Sequence, residues 1–139
     1  MLRILICDDD AGTRLLLKRT LVREFKAAVT EAADGLQALE LLEERAFDLL
    51  ILDLMMPGLD GTGVLKILRE QMPLATLPVV ILSGQRESQT VQAVIQLGVA
   101  GFLLKPLHLE ATSTRLRAIV TRLAEVDATP TAAAAEDSV

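Results

Sequence analysis

The chain has 139 residues, a formal net charge of −5, and 51% hydrophobic against 24% charged residues. That length suits one domain able to bury about two-thirds of its unfolded surface, and the hydrophobic share excludes a wholly disordered chain. An acidic balance without Trp or Tyr argues against a basic groove with stacking aromatics, so no direct nucleic-acid binding is expected.

The single cysteine, Cys7, cannot form an internal disulfide, and a lone thiol suits a reducing compartment. The stretch from Leu2 to Cys7 is too short for a secretory signal. No apolar run approaches the roughly 20 residues that cross a bilayer. A cytoplasmic protein with no membrane contact is therefore expected.

In chain order, Leu2 to Cys7 is a first apolar run that reads as a buried strand. A helical stripe follows in Leu17, Leu21, Val22 and Phe25, with Arg14, Lys18, Arg19, Arg23 and Lys26 on its other faces. The Ala-rich stretch around Val29 reads as a weaker strand. Asp34, three residues before Gln37, opens a helix that carries Leu39 and Leu42.

The run DLLIL at residues 48–52 predicts a strand, and Val64, Leu65 and Leu68 a helix after it. PVVIL at 78–82 and AGFLL at 100–104 predict two further strands. Between them Val91, Val94 and Ile95 form a stripe that Gly98 ends. Leu109, Leu116, Ile119, Val120 and Leu123 mark the last helix. Alternating strands and helices with continuous apolar strands predict an α/β fold, a parallel sheet covered by helices on both faces. The domain spans residues 1–124. Residues 125–139, which include Pro130, read as a flexible tail or linker, or as a frayed continuation of the last helix.

In such a sheet, ligands bind beyond the carboxyl ends of the strands, where the strand order reverses. Asp8, Asp9 and Asp10 follow the first run and Asp53 the third. Ser83 follows the fourth, and Lys105 with Pro106 the fifth. Crowded carboxylates repel unless a cation neutralises them. A hard divalent ion such as Mg²⁺ takes one or two of them and keeps room for a phosphate oxygen. Lys105 would supply a point charge for a phosphoryl group and Ser83 a hydrogen bond. These parts describe phosphoryl transfer onto a carboxylate.

The segments ILICDDD, LDLMMPGLDG, VVILSG and GFLLKP, in that order, resemble the response-regulator receiver domain of two-component signalling. The resemblance covers about residues 2–124. It implies a flavodoxin-like (βα)5 doubly wound sheet of strand order 2-1-3-4-5. Asp53 would be the phosphoacceptor, taking a phosphoryl group from a sensor histidine kinase or histidine phosphotransfer protein. Asp8, Asp9 and Asp53, with the backbone carbonyl of Met55, would hold Mg²⁺. Lys105 matches the family's lysine, before an expected cis bond to Pro106, and Ser83 and Phe102 match its switch pair. Phe102 stands where many members have Tyr, so a hydrogen-bonded form of the switch is not expected. The chain would then be a signalling phosphoacceptor and not an enzyme, and it would act on a downstream protein target or output domain. Homodimer formation is compatible with the resemblance.

Several residues have plainer readings. Asp10 reads as a helix N-cap. Ser83 could cap the following helix, and Phe102 could be plain core. His108 lacks a Cys or His companion and begins the last helix near solvent. Cys7 packs as a small apolar residue. Gly58, Gly61 and Gly63 fit no phosphate-loop pattern and read as a turn.

Two other functions compete. A hydrolase that forms an aspartyl phosphate on an outside ester, as haloacid-dehalogenase-like phosphatases do, needs a second acid two residues after the nucleophile. That position is Met55, which cannot transfer a proton. A phosphorylation-independent interaction module of the same fold would be expected to lack the acceptor or the lysine, and both are present.

Overall fold

Strands β1 (Arg3–Cys7), β3 (Leu49–Asp53) and β4 (Val79–Ser83) are almost entirely apolar and almost entirely buried. Only the middle of a sheet covered on both faces accommodates such segments. The computed structural model, which describes residues 1–72, 76–84 and 88–128, places them there. With β2 (Ala28–Ala32) and β5 (Gly101–Leu104) they form one parallel sheet of order β2-β1-β3-β4-β5. This is the expected doubly wound arrangement.

The helices α1 (Ala11–Phe25), α2 (Gly35–Glu44), α3 (Gly61–Glu70), α4 (Ser88–Leu97) and α5 (Leu109–Ala128) alternate with the strands. Side-chain alternation along each strand divides the interior in two. Leu5, Cys7, Leu50, Leu52, Val79 and Ile81 meet α2, α3 and α4 through Leu42, Val64, Leu65, Leu68 and Val94. Ile4, Ile6, Leu49, Ile51, Val80 and Leu82 meet α1 and α5 through Leu17, Leu21, Leu116 and Ile119. Each fully buried Leu or Ile contributes about 1.5–3 kcal/mol.

The helix starts are set by side chains. Asp10, Asp34 and Asp60 each accept a hydrogen bond from the backbone N–H three residues on, at 2.9, 2.8 and 2.9 Å. Gln37 completes the second cap by accepting from the Ala33 N–H at 2.8 Å. Gly98, at φ +85°, ends α4 in the left-handed region that glycine adopts without strain. Lys26 does the same for α1 at φ 52°, where an L side chain is less comfortable.

The stripes read from the sequence were too wide in three places. Val22 is 44% exposed and Ile95 52%, and Leu109 also faces solvent. Val22 lies next to Leu21, about 100° further round the helix, and so falls off the face that meets the sheet. The Val91 side chain lies outside the described residues. Helix α5 continues to Ala128, past residue 124, and residues 129–139 of the expected tail lie outside the described residues.

Candidate functional site

The strand order reverses between β1 and β3, so the chain leaves their carboxyl ends in opposite directions and a crevice opens there. Its floor is made by residues at or just past the carboxyl ends of β1, β3, β4 and β5. Asp8 extends β1 by one residue, its N–H donating to the Ala32 carbonyl at 3.2 Å. The chain then turns, with Asp8 Oδ1 accepting from the Asp10 N–H at 2.8 Å. This turn leaves Asp8 fully buried and Asp9 exposed at the rim. Asp10 caps α1, its carboxylate accepting from both the N–H and the hydroxyl of Thr13. Those bonds hold the Asp10 carboxyl below its ordinary pKa. Its reading as a cap is correct.

Asp53 ends β3 and is 2% exposed. Its Oδ1 accepts from the Met55 N–H at 3.2 Å, which bends the chain just after Asp53 and leaves the Met55 side chain exposed. The turn at residues 54–60 is pinned by the Gly61 N–H, which donates to the Leu54 carbonyl at 3.0 Å. Gly61 has to be glycine: a Cβ there would lie 2.2 Å from the Asp53 carbonyl oxygen. That close approach was not apparent from the glycine cluster in the sequence.

Ser83 ends β4 in the buried edge, one residue past Leu82, which pairs with Asp53. Its carbonyl accepts from the Lys105 N–H at 2.8 Å, and the Lys105–Pro106 bond is cis. Phe102 pairs with Ile81 on β4 and is half-buried against the α2–α4 side of the core. Its carbonyl accepts from Arg115 Nε at 3.4 Å. His108 is exposed, and its carbonyl accepts the Thr112 N–H at the start of α5. Cys7 is buried, with its Sγ 3.3 Å from the Asp34 carbonyl. Burial, reinforced by the charges of Asp34, Asp8 and Asp53, pushes its thiol up to about 12, so it stays protonated and inert.

The charged groups converge at the crevice. Lys105 Nζ lies 2.9 Å from Asp8 Oδ2 and 3.1 Å from Asp53 Oδ2. Asp53 is pushed up to about 6, first by burial and then by the Asp8 charge, with Lys105 opposing both. Burial alone would lower the Lys105 pKa, but the bonds to the two aspartates outweigh it and raise it. Oxygens of Asp8, Asp9 and Asp53 all lie within 4.8 Å of one another. Asp8 Oδ2 has Lys105 as an ion-pair partner but no aligned hydrogen-bond donor among the described residues. An all-oxygen donor set with an incompletely satisfied buried carboxylate fits a hard divalent cation.

The molecule is similar to known proteins along most of its described residues. The model of the response regulator receiver domain matches residues 4–117. Chemotaxis protein CheY-3 of Vibrio cholerae is 34% identical over 123 residues, 88% of this chain and 94% of that protein. Response regulator MprA of Mycobacterium ulcerans is 37% identical over 121 residues, 86% of this chain but 50% of that protein. Among solved structures, the REC domain of AraT, a response regulator from Geobacillus stearothermophilus, is 35% identical with a TM-score of 0.76, covering 89% of this chain and 93% of that one. The same domain thus occurs both as nearly a whole protein and as part of a longer one.

Proposed function

The chain belongs to the response regulator receiver family, and on that premise we propose that Asp53 is its phosphoacceptor. The donor would be a phosphohistidine on a sensor kinase or phosphotransfer protein. An Asp53 carboxylate oxygen attacks phosphorus and the P–N bond breaks. The electron pair of that bond leaves on the imidazole, and the product is an acyl phosphate. The observation that carries this reading is the convergence of Asp8, Asp9 and Asp53 on one point with Lys105 beside them.

Asp8, Asp9, Asp53 and the Met55 carbonyl would hold Mg²⁺, which when bound neutralises charge on the phosphoryl oxygens. Burial and the neighbouring Asp8 charge keep Asp53 basic enough to attack, while Lys105 keeps it ionised near neutral pH. Once Asp53 carries the phosphoryl group, the Lys105 ammonium is within reach of one of its oxygens and Ser83 donates to another.

Ser83 drawn toward the new group leaves space beside β4, and Phe102 turns inward to fill it. That movement shifts a pre-existing equilibrium of the face made by α4, β5 and α5. This face already presents Ile95 and Leu104, 52% and 56% exposed, to a partner. The partner is a downstream protein, an output domain or a second copy.

Incubation with Mg²⁺ and acetyl phosphate, followed by intact mass measurement, tests the reading with Asp53→Asn alongside. A single phosphoryl mass gained by the unmodified chain alone supports it. With no gain and no beryllofluoride binding, the phosphoacceptor reading fails and an interaction module of the same fold takes its place. Beryllofluoride binding without a mass gain indicates a competent site whose acyl phosphate hydrolyses quickly.

A further inference from the structure

Between Asp8 and the neighbouring strand β2, α1 contributes a second cation. Arg14 Nη1 donates to the Asp8 carbonyl oxygen at 2.6 Å. Arg14 Nε donates to Glu31 Oε1 on β2 at 3.0 Å, and Lys18 Nζ approaches Glu31 Oε2 at 3.8 Å. The Arg14 side chain keeps only 16% of its exposure. It is a braced bridge, far more confined than an ordinary surface ion pair.

The carbonyl it grips belongs to the peptide between Asp8 and Asp9. The orientation of that peptide sets the direction in which Asp9 leaves the backbone. Asp8 itself is held at its N–H by Ala32 and at its carboxylate by the Asp10 N–H. Asp9 is exposed, and its carboxylate accepts no hydrogen bond among the described residues, unlike those of Asp8 and Asp10. The peptide plane is therefore its main restraint.

From this geometry we infer that Arg14 is a positioning residue for the metal site. Its guanidinium links Glu31 to the Asp8 carbonyl and so aims the Asp9 carboxylate at the point shared with Asp8 and Asp53. The inference rests on the reading of Asp8, Asp9 and Asp53 as cation ligands.

The sign of the effect separates positioning from simple charge. A cation beside an acidic site repels a divalent ion, so removing Arg14 would tighten metal binding if charge were all that mattered. If Arg14 aims a ligand, its removal weakens binding. Lysine keeps the charge but cannot reproduce the two-pronged fork.

The experiment titrates the full chain with Mn²⁺ and reads the free ion by electron paramagnetic resonance. It compares the unmodified protein with Arg14→Gln, Arg14→Lys and Asp9→Asn. Loss of a group that orients a ligand typically costs about 10-fold or more in affinity, and both Arg14 variants are expected to show it. In the metal-free protein the same variants are expected to move the Asp9 amide ¹⁵N resonance, while far-UV circular dichroism stays unchanged. Tighter Mn²⁺ binding by Arg14→Gln, or unchanged binding by Arg14→Lys, overturns the inference. Should Arg14→Gln fail to fold, Arg14→Lys decides alone. No Mn²⁺ binding by the unmodified chain, or equal binding by Asp9→Asn, overturns the acidic-site reading instead.

Discussion

Lys105 reaches over the end of β4 to place its ammonium 3.1 Å from Asp53 Oδ2, two strands away. Neighbouring strands lie about 4.8 Å apart, so this is a span of roughly 10 Å across the sheet edge. The same ammonium meets Asp8, and one cation thus offsets much of the repulsion between two buried acids. Lys105→Gln leaves both carboxylates with far less compensation. Breaking a fully buried pair costs about 3–5 kcal/mol. Lys105 keeps 28% exposure, so a loss of about 2 kcal/mol at pH 7 is expected, by analogy with those pairs. The loss is expected to shrink toward pH 5, where a carboxyl takes up a proton. Urea unfolding at the two pH values without metal checks this, and an equal loss at both contradicts it.

Asp53 titrates higher in the folded chain than in the unfolded one, where its ordinary value is 3.8. A raised carboxyl contributes stability that is present in full below the unfolded value and is lost as pH climbs through the folded one. Between pH 3.8 and about 6 the metal-free protein therefore gives up stability through this residue, on the order of 2–3 kcal/mol. Asp53→Asn removes that slope. Thermal melts in chelator are expected to show the variant more stable than the unmodified chain at pH 7 and level with it near pH 4. A variant less stable at pH 7 would contradict the account.

Adding Mg²⁺ should offset that deficit. An ion that binds only the folded chain stabilises it by about 2.7 kcal/mol at a hundredfold excess over its Kd. The unmodified chain is expected to gain that at pH 7, whereas Asp8→Asn and Asp9→Asn gain little. Equal gains in all three proteins would place the ion elsewhere.

Much of this was legible in the order of residues alone. Strand identity followed from continuous apolar runs, and the crevice from the residues that stand directly after them. Helix faces were readable only in part. Leu17 and Leu21 lie in the core, yet Val22 does not, because spacing gives a stripe's direction and leaves its width to the curvature of the sheet beneath. Thr20 is buried although polar, its hydroxyl donating to the Leu16 carbonyl one turn back. Composition does not reveal that local solution. The grip of Arg14 on Asp8 and the contact of Gly61 with the Asp53 carbonyl were also invisible, since each depends on how closely separate elements approach.

The glycine contact predicts opposite outcomes for the same change at two positions. Gly61→Ala would drive a methyl group against the Asp53 backbone, and an overpacked site of this kind costs about 1–3 kcal/mol. The methyl of Gly12→Ala meets nothing closer than Asp10 Oδ2 at 3.5 Å, and helical Ala exceeds Gly by about 0.5–1 kcal/mol. If Asp53 is the phosphoacceptor, as proposed, phosphoryl acceptance from acetyl phosphate is expected to fall with the first variant, because the Asp53 backbone must move. Equal melting temperatures for the two variants would refute the reading.

The joint between α1 and α5 is separate from the site. Ser113 donates its hydroxyl to Glu24 Oε2, and Arg117 Nη2 donates to the same oxygen at 3.0 Å. The hydroxyl holds the Glu24 carboxyl below its ordinary pKa. Ser113→Ala is expected to lower stability, because it removes a hydrogen bond to a charged group. Denaturant melts read the cost, and the rate of phosphoryl acceptance should stay unchanged. A fall in that rate would link the joint to the site.

That joint also bears on how the chain is made. One side of the sheet is sealed by the first helix and the last, so Leu17 and Leu21 wait for Leu116 and Ile119. At about 5–20 residues per second, the interval during synthesis is on the order of 5–20 s. The other side closes with elements from the middle of the chain and does not wait as long. A nascent chain halted after β5 is expected to display a greasy α1 face that a hydrophobic dye or a chaperone would find, and release of α5 should abolish that binding. That face is expected to stay uncovered until α5, twenty residues long, has emerged.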